Sequence, residues 1–227
     1  MDMQMTNRVP DWLTPVAWTY IALSLIAAAY IAFDIYARRH RHSSVAAELV
    51  WVTSGLYLGP FAVPLYHRHG RPHASGHHAE RATSAPLPTA VAGLPGGSAS
   101  AVAHLVGVPL VIASGLTIAG IDLWVMIIVI GVLAMALLFV YERTASQQGA
   151  ARTLTVGAAA AAAVLTVLAF DIGMGGWMLL LHFNEFMPPA TEGTFWFLMQ
   201  MGVILGLLTA YPAVSWLLHR NRAVAPA

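Results

Sequence analysis

Two apolar stretches near the C-terminus decide the fold: Phe170-Asp-Ile-Gly-Met-Gly-Gly-Trp-Met-Leu-Leu-Leu-His-Phe183 and Phe195-Trp-Phe-Leu-Met-Gln-Met-Gly-Val-Ile-Leu-Gly-Leu-Leu-Thr-Ala-Tyr-Pro212. With their neighbouring residues, both are long enough to be membrane-spanning helices. Small residues are the usual contact points between helices in lipid, where burying apolar surface gains little. We therefore expect the two helices to pack closely at five glycines: Gly173, Gly175, Gly176, Gly202 and Gly206.

One face of the first stretch carries polar and sulfur-containing side chains. A helix has about 3.6 residues per turn, so positions i, i+3, i+7 and i+11 share a face. Asp171, Met174, Met178 and His182 have this spacing. A carboxylate, two thioethers and an imidazole in one line could hold or pass a soft cation. The alternative is that the methionines fill gaps in the core and that His182 hydrogen-bonds a neighbouring carbonyl.

Asp171 lies in otherwise apolar sequence and needs a partner there, because an unpaired carboxylate is costly in lipid. The candidates are a bound cation, a proton shared with the backbone, His104 from the third apolar segment, and Gln200 from the last one. His104 itself lies inside apolar sequence, so we expect it to face the bundle interior or a wet cavity.

The composition places the whole chain in a membrane. Hydrophobic residues make up 58% of the 227 residues and charged residues 9%, whereas soluble domains carry roughly 25% charged residues. The sequence predicts an all-α, polytopic membrane helix bundle with six apolar segments. The net charge of +1 argues against nucleic-acid partners. The predicted partner is the lipid bilayer, with a metal ion, another membrane protein or a second copy of the chain as further candidates.

The apolar segments define the predicted organisation of the chain. The predicted helices are residues 12–36, 46–66, 98–120, 121–141, 152–186 and 193–218. They divide the chain into a polar head at 1–10, a helical hairpin at 11–66, a linker at 67–97, a four-helix bundle at 98–219 and a tail at 220–227. The second segment contains Gly55, Gly59, Pro60 and Pro64, which break or kink helices. It could therefore cross the membrane or bend back.

The arginines bear on that choice. All eleven basic residues are arginines and alanine is abundant, which is typical of a GC-rich bacterial genome and favours a bacterial inner membrane. If all six segments cross, eight arginines lie on one side, and Arg38, Arg39 and Arg41 on the other. If the second segment bends back, ten lie on one side and only Arg8 on the other. Under the positive-inside rule both arrangements predict a cytoplasmic C-terminus and linker.

The linker is rich in histidine. Five imidazoles fall within twelve residues: His67, His69, His73, His77 and His78. Histidines in a polar linker could gather Zn(II) or Cu(II), although they lack the spacing of a closed structural site. The alternative is a solvated loop that gains charge as the pH falls. Copper and zinc are thus the candidate metals for the chain.

Three stretches carry a resemblance to a known family. Trp51-Val-Thr-Ser-Gly-Leu-Tyr-Leu-Gly-Pro60, Gly173-Met-Gly-Gly-Trp-Met-Leu-Leu-Leu-His-Phe183 and the stretch from Phe195 to Pro212 are similar to bacterial membrane proteins of domain of unknown function 4396. The resemblance covers most of the chain apart from the head and the linker. It implies a bacterial multi-spanning protein and leaves the activity open.

The chain departs from that family at the start of the third helix. Many members carry H-C-G-A-G-C-T-L-G-D where this chain has Pro95-Gly-Gly-Ser-Ala-Ser-Ala-Val-Ala-His104. Gly96 and Ser100 replace the two cysteines, and His104 stands where the acid would be. Since this chain has no cysteine, it cannot perform thiolate chemistry there. The positions of Met174, Met178 and His182 match the family, so a shared function would involve that face.

Two classes of function follow. The first is transport or handling of a soft, copper-like cation along the Asp171 to His182 face. The second is a non-catalytic membrane scaffold or accessory subunit that binds another membrane protein through small-residue faces. The sequence shows no catalytic nucleophile or acid–base pair, so it favours a protein that is not an enzyme.

Overall fold

A computed structural model describes residues 8–42, 44–71, 86–148 and 154–220. Within these ranges the chain forms seven α-helices: α1 (Leu13–Tyr36), α2 (Val45–Leu58), α3 (Ala62–Leu65), α4 (Pro86–Ser114), α5 (Asp122–Gln148), α6 (Val156–Phe183) and α7 (Gly193–His219). A 3-10 turn, Gly59–Phe61, joins α2 to α3, and a π-helical turn, Tyr66–Gly70, follows α3. The same ranges hold six stretches long and apolar enough to cross a membrane. The predicted all-α, multi-pass membrane bundle is confirmed.

The third long helix begins earlier than the sequence predicts. Residues 86–97, which the composition assigns to the linker, form the first three turns of α4. Glycine and serine indicate a linker in soluble proteins, but in lipid they are contact positions. A Cβ on Gly97 would lie 2.8 Å from the hydroxyl oxygen of Tyr57, so α4 and α2 pack closely here. The helix also ends at Ser114, six residues before its predicted end.

The second apolar segment descends along α1 as far as Gly59. A Cβ on Gly55 would lie 2.7 Å from the backbone of Ala28, so the two helices touch there. Farther along, Gly59 lies beside Ser24. Gly59 has a φ of +57°, which favours glycine because other residues clash in this left-handed region. The helix ends at this turn.

Residues 62–70 then return in the opposite direction, and we call them the return arm. The hydroxyl of Tyr66 donates to the carboxylate of Asp34 at 3.1 Å, near the end of α1. Gly70 lies against the indole of Trp51. A continuous helix would separate residues 51 and 70 by about 28 Å. The second segment is therefore a re-entrant helical hairpin, and the bending-back alternative is the one that the structure adopts.

The break in this hairpin frees backbone carbonyls that need donors, because lipid supplies none. The hydroxyl of Tyr20 donates to the carbonyl oxygen of Tyr57 at 2.8 Å. The side-chain amide of Gln200 donates to the carbonyl oxygen of Leu56. The first donor lies on α1 and the second on α7, so the broken segment is held by helices on both sides of it.

The bundle has two ends, which differ in charge. At the N-terminal end, where α1 begins, Trp18 packs on Gly193 at the start of α7, and Arg8 pairs with Glu185 at 3.1 Å. The long helices α4 to α7 run alternately in opposite directions. The opposite end, where α1 and α7 finish, is here called the arginine end. Of the eight arginines among the described residues, seven lie at this end and Arg8 lies at the other.

Close packing of α6 on α7 is confirmed at three of the five predicted glycines. A Cβ on Gly173 would lie 2.6 Å from the carbonyl oxygen of Leu205, and one on Gly206 would lie 2.6 Å from the ring of Phe170. Gly202 lies against Met174. The prediction is wrong for the other two, Gly175 and Gly176, since a Cβ on either would meet no atom within 4 Å.

Two buried acids fasten the hairpin at the arginine end. Asp34 is fully buried and lies 3.3 Å from Arg71 and 3.6 Å from Arg38, measured between charged atoms. Glu48 accepts two hydrogen bonds from the guanidinium of Arg41, at 2.6 and 3.1 Å. Because each buried carboxylate has a cationic partner, the desolvation of the charges is largely offset.

We expect residues 43 and 84 to be accessible from the same side of the membrane, because the hairpin returns to the end from which it enters. The chain has no cysteine, so Ser43→Cys, Ser84→Cys and Thr191→Cys can each be labelled without background. A membrane-impermeant maleimide should label positions 43 and 84 in vesicles that expose one face of the membrane. It should label position 191 only in vesicles that expose the opposite face. Labelling of positions 43 and 84 from opposite sides would show that the segment crosses.

His42 closes the hairpin through a hydrogen bond to the return arm. Its Nε2–H donates to the carbonyl oxygen of Gly70 at 2.6 Å, and its Nδ1 is buried with no partner among the described residues. Burial lowers the pKa of His42 below its ordinary value, against the smaller opposing effects of the Gly70 carbonyl and the Glu48 carboxylate. The folded protein therefore favours the neutral ring.

A His42 with a lowered pKa should make stability fall as the pH drops below about 6.5, because the unfolded chain then binds the proton more readily. His42→Gln keeps a donor for Gly70 and removes the titrating group. The melting temperature, followed from pH 8 to pH 5, should fall less in His42→Gln than in the wild type. The exposed His219, changed to Gln, is the control and should keep the wild-type slope. Equal slopes for all three would contradict the assignment.

Candidate metal site in the bundle core

A small cavity, here called the core cavity, lies where α4, α5 and α6 meet. It is lined by His104, Ile127, Ile130, Asp171, Met174, Gly175 and Met178. Its volume of about 10 Å³ is at the lower limit for a single water molecule. Three of the four residues on the predicted face of α6 therefore line one small cavity together with His104.

His104 presents an unused nitrogen. The residue is 4% exposed, and its Nδ1–H donates to the carbonyl oxygen of Ser100 at 2.8 Å. This bond leaves Nε2 as a bare acceptor, which is buried and has no partner among the described residues. Metal-binding histidines are commonly oriented in this way, with one ring nitrogen bonded to a carbonyl and the other on the metal. As predicted, His104 faces the bundle interior.

Asp171 also lacks a partner in the described part of the chain, where its carboxylate makes no hydrogen bond or ion pair. Its Oδ2 lies against Gly131 of α5, 3.3 Å from where a Cβ would be. An ionised carboxylate in a membrane helix costs about 2.5 to 3.5 kcal/mol on insertion scales. Gln200 is not the partner, since its amide bonds Leu56 and it does not line the core cavity.

The two methionines of the core cavity differ in their surroundings. Both are 2% exposed. The sulfur and methyl of Met174 pack against Gly202 of α7, so this side chain fills the groove that the glycine leaves. The gap-filling alternative thus describes Met174 well. Met178 is the better thioether candidate for the core cavity.

Gly175 explains why the cavity exists. The residue is buried and lines the cavity, yet a Cβ there would meet no atom within 4 Å. Any larger residue would place its side chain in this space. The sequence gives no signal for this role, because the glycine has the same spacing as those that contact α7.

The other predicted histidines lie elsewhere. His182 is half-buried, and its ring packs edge-on against Phe183, 5.3 Å between centroids, away from the core cavity. His67 belongs to the return arm, where its Nε2 lies 3.0 Å from the hydroxyl of Tyr30, and His69 is exposed. The remaining three, His73, His77 and His78, lie outside the described residues. The described ranges contain no group of three or more His, Asp or Glu side chains that could hold a metal.

These features define a class of protein, a polytopic α-helical membrane protein with ligand-type side chains in its core. The chain belongs to the family described as Domain of unknown function (DUF4396), whose model matches residues 88–222. The match includes every residue of the core cavity and excludes residues 51–60, so it is narrower than the resemblance in the sequence suggests. Comparisons with curated proteins and with solved structures give no match.

Proposed function

We propose that the protein binds a soft monovalent cation, with Cu(I) the best match, in the core cavity, and that it handles or transports this ion within the membrane. One observation carries the proposal: His104, whose buried Nε2 has no partner among the described residues, and Asp171, whose carboxylate makes no hydrogen bond or ion pair there, line one small cavity together with Met178.

Charge balance favours a bound cation. A monovalent ion beside Asp171 makes a neutral pair, which removes the uncompensated charge from the bundle interior. The imidazole and the thioether then supply the softer ligands that copper prefers. Zinc in closed sites takes four ligands from thiolate, imidazole and carboxylate groups, and this chain has no thiolate. Of the two candidate metals, copper therefore fits the side chains better.

The core cavity lies between helices and not on the protein surface, and this position favours transport of the ion over its storage. An ion that reaches it must enter the bundle from one of the two ends. His182 does not line the cavity, but it lies one helical turn beyond Met178 on α6, toward the N-terminal end, and would be the next imidazole that an ion meets on that path. The scaffold alternative is less well supported, because exposed apolar side chains are expected on any membrane bundle and favour no particular partner.

We infer that the arginine end faces the cytoplasm of a bacterial inner membrane. The support is that seven of the eight described arginines lie at this end, together with the positive-inside rule. The C-terminus would then be cytoplasmic.

Silver(I), an air-stable probe for the Cu(I) site, should raise the melting temperature of the purified protein, since a ligand at about 100 times its Kd adds about 2.7 kcal/mol of stability. Asp171→Asn and Met178→Leu should abolish the rise. Without metal, Asp171→Asn should be at least as stable as the wild type, because it removes an unpaired, half-buried charge from a membrane helix and keeps the shape.

The two adjacent glycines provide a matched control. Gly175→Ala puts a methyl group into the core cavity and should abolish the silver-dependent rise, whereas Gly176→Ala on the exposed side of α6 should keep it. Met174→Leu should also keep it, because its sulfur belongs to the contact with α7. All of these variants keep the linker histidines. Any silver bound there affects their melting temperatures equally and does not contribute to the differences between them. A silver response that survives in both Asp171→Asn and Gly175→Ala would refute the site.

The orientation can be tested separately with C-terminal fusions at Ala227. A fluorescent reporter that matures only in the cytoplasm should be bright, and a phosphatase that is active only in the periplasm should be inactive. Fusing each reporter to the N-terminus gives the reciprocal control, since five crossing helices put the two termini on opposite sides. An active phosphatase at Ala227 would reverse the assignment.

A further inference from the structure

A second and larger cavity lies beside the break in the re-entrant hairpin, and we call it the hinge pocket. Its volume of about 250 Å³ exceeds the roughly 150 Å³ that accommodates a benzene ring. The walls come from α1, α2, α4 and α7, and include Ser24, Tyr57, Ala101, His104, Trp196 and Gln200. The pocket thus lies between the N-terminal hairpin and the family-matched part of the chain.

Gln200 lines this pocket and carries an acceptor that has no partner in the described part of the chain. Its Nε2 donates to the carbonyl oxygen of Leu56, and since a carbonyl can only accept, the orientation of the amide is fixed. Its Oε1 is buried and has no partner among the described residues. The C-terminus of α2 lies at the same place and adds partial negative charge. The pocket therefore favours a ligand that donates a hydrogen bond.

The donors on the wall are already engaged. The hydroxyl of Tyr57 donates to the carbonyl oxygen of Leu94 at 3.3 Å, and that of Ser24 donates to the carbonyl oxygen of Tyr20 at 2.8 Å. The indole N–H of Trp196 donates to the carbonyl oxygen of Ala190 at 2.9 Å. A ligand that offers only acceptors, such as a ketone or a quinone, would find no donor among these groups.

The donor on the ligand should be neutral. No carboxylate lines the described walls of the pocket, so an ammonium group would be buried there without a counter-charge, which is costly. An O–H group satisfies Gln200 without that cost. The aromatic side chains of Trp196 and Tyr57 offer surfaces against which a ring packs well.

We propose that the hinge pocket binds a neutral, membrane-soluble phenol or hydroquinone, whose O–H donates to Oε1 of Gln200. This site is separate from the core cavity, and it does not depend on cation binding. His104 lines both cavities.

Three probes of the same shape test the recognition: tetramethylhydroquinone, tetramethylbenzoquinone and tetramethylbenzene. The first offers donors, the second only acceptors and the third neither. Binding to the full chain in detergent, under argon, can be followed by the rise in melting temperature and by quenching of tryptophan fluorescence. The hydroquinone should bind about tenfold or more tightly than the other two, the factor expected for pairing a buried acceptor.

Two variants locate the site. Gln200→Met keeps the length of the side chain and removes the acceptor, so the preference for the hydroquinone should fall to near one. Ala101→Leu fills the pocket without touching any hydrogen bond and should abolish binding of all three probes. Val102→Leu, at the next position of α4 but outside the hinge pocket, is the matched control and should bind as the wild type does.

Equal affinity for the three probes, tighter binding of the quinone, or a hydroquinone preference that persists in Gln200→Met would overturn the proposal. Should Gln200→Met fail to fold, the probe series on the wild type and the Ala101→Leu variant decide the question. The silver-dependent stabilisation should stay unchanged in Ala101→Leu, so failure of one site does not imply failure of the other.

Discussion

The structure depends on a rule of the membrane interior: every backbone N–H and C=O must find a partner within the protein. The re-entrant hairpin strains this rule, because its break leaves carbonyls of α2 without the amides of a following turn. Two side chains from distant helices, Tyr20 and Gln200, meet that need. These hydrogen bonds position α1 and α7 against the break, and the hinge pocket is the space that remains between them.

Asp34 and Asp171 show how different the surroundings of two aspartates can be in one bundle. Asp34 is surrounded by donors from Tyr66 and two arginines, and it holds the return arm to the end of α1. Asp171, in the same bundle, has no such partner in the described part of the chain. A structural carboxylate is expected to have partners of the first kind. The isolation of Asp171 is what sets the core cavity apart from ordinary packing.

Composition and local pattern were sufficient for the fold class and for part of the core. Apolar length predicts the helices, and glycine spacing predicts the contacts of Gly173, Gly202 and Gly206 with their neighbours. The same spacing cannot tell that Gly175 faces empty space, because that depends on where α4 and α5 lie. The composition wrongly predicts a linker at the start of α4. Small residues are typical of linkers in soluble proteins, but in membrane proteins they are contact positions between helices.

For the candidate sites too, some features follow from the sequence and others require the tertiary structure. That His104 faces inward follows from its apolar sequence surroundings, whereas its meeting with Asp171 and Met178 requires the tertiary arrangement of α4 and α6. The separate locations of His182 and of the linker histidines also could not be derived from spacing. The bond between Gln200 and Leu56 joins positions 144 residues apart, and no local pattern indicates it.

That long separation has a consequence for biogenesis. The chain is synthesised from its N-terminus, so the carbonyl of Leu56 leaves the ribosome long before the amide of Gln200 exists. Until α7 has been made and inserted, the tip of the hairpin has to remain in contact with water or with the insertion machinery, because lipid cannot solvate it. The N-terminal third of the protein is therefore the first part to be made and among the last to reach its final structure.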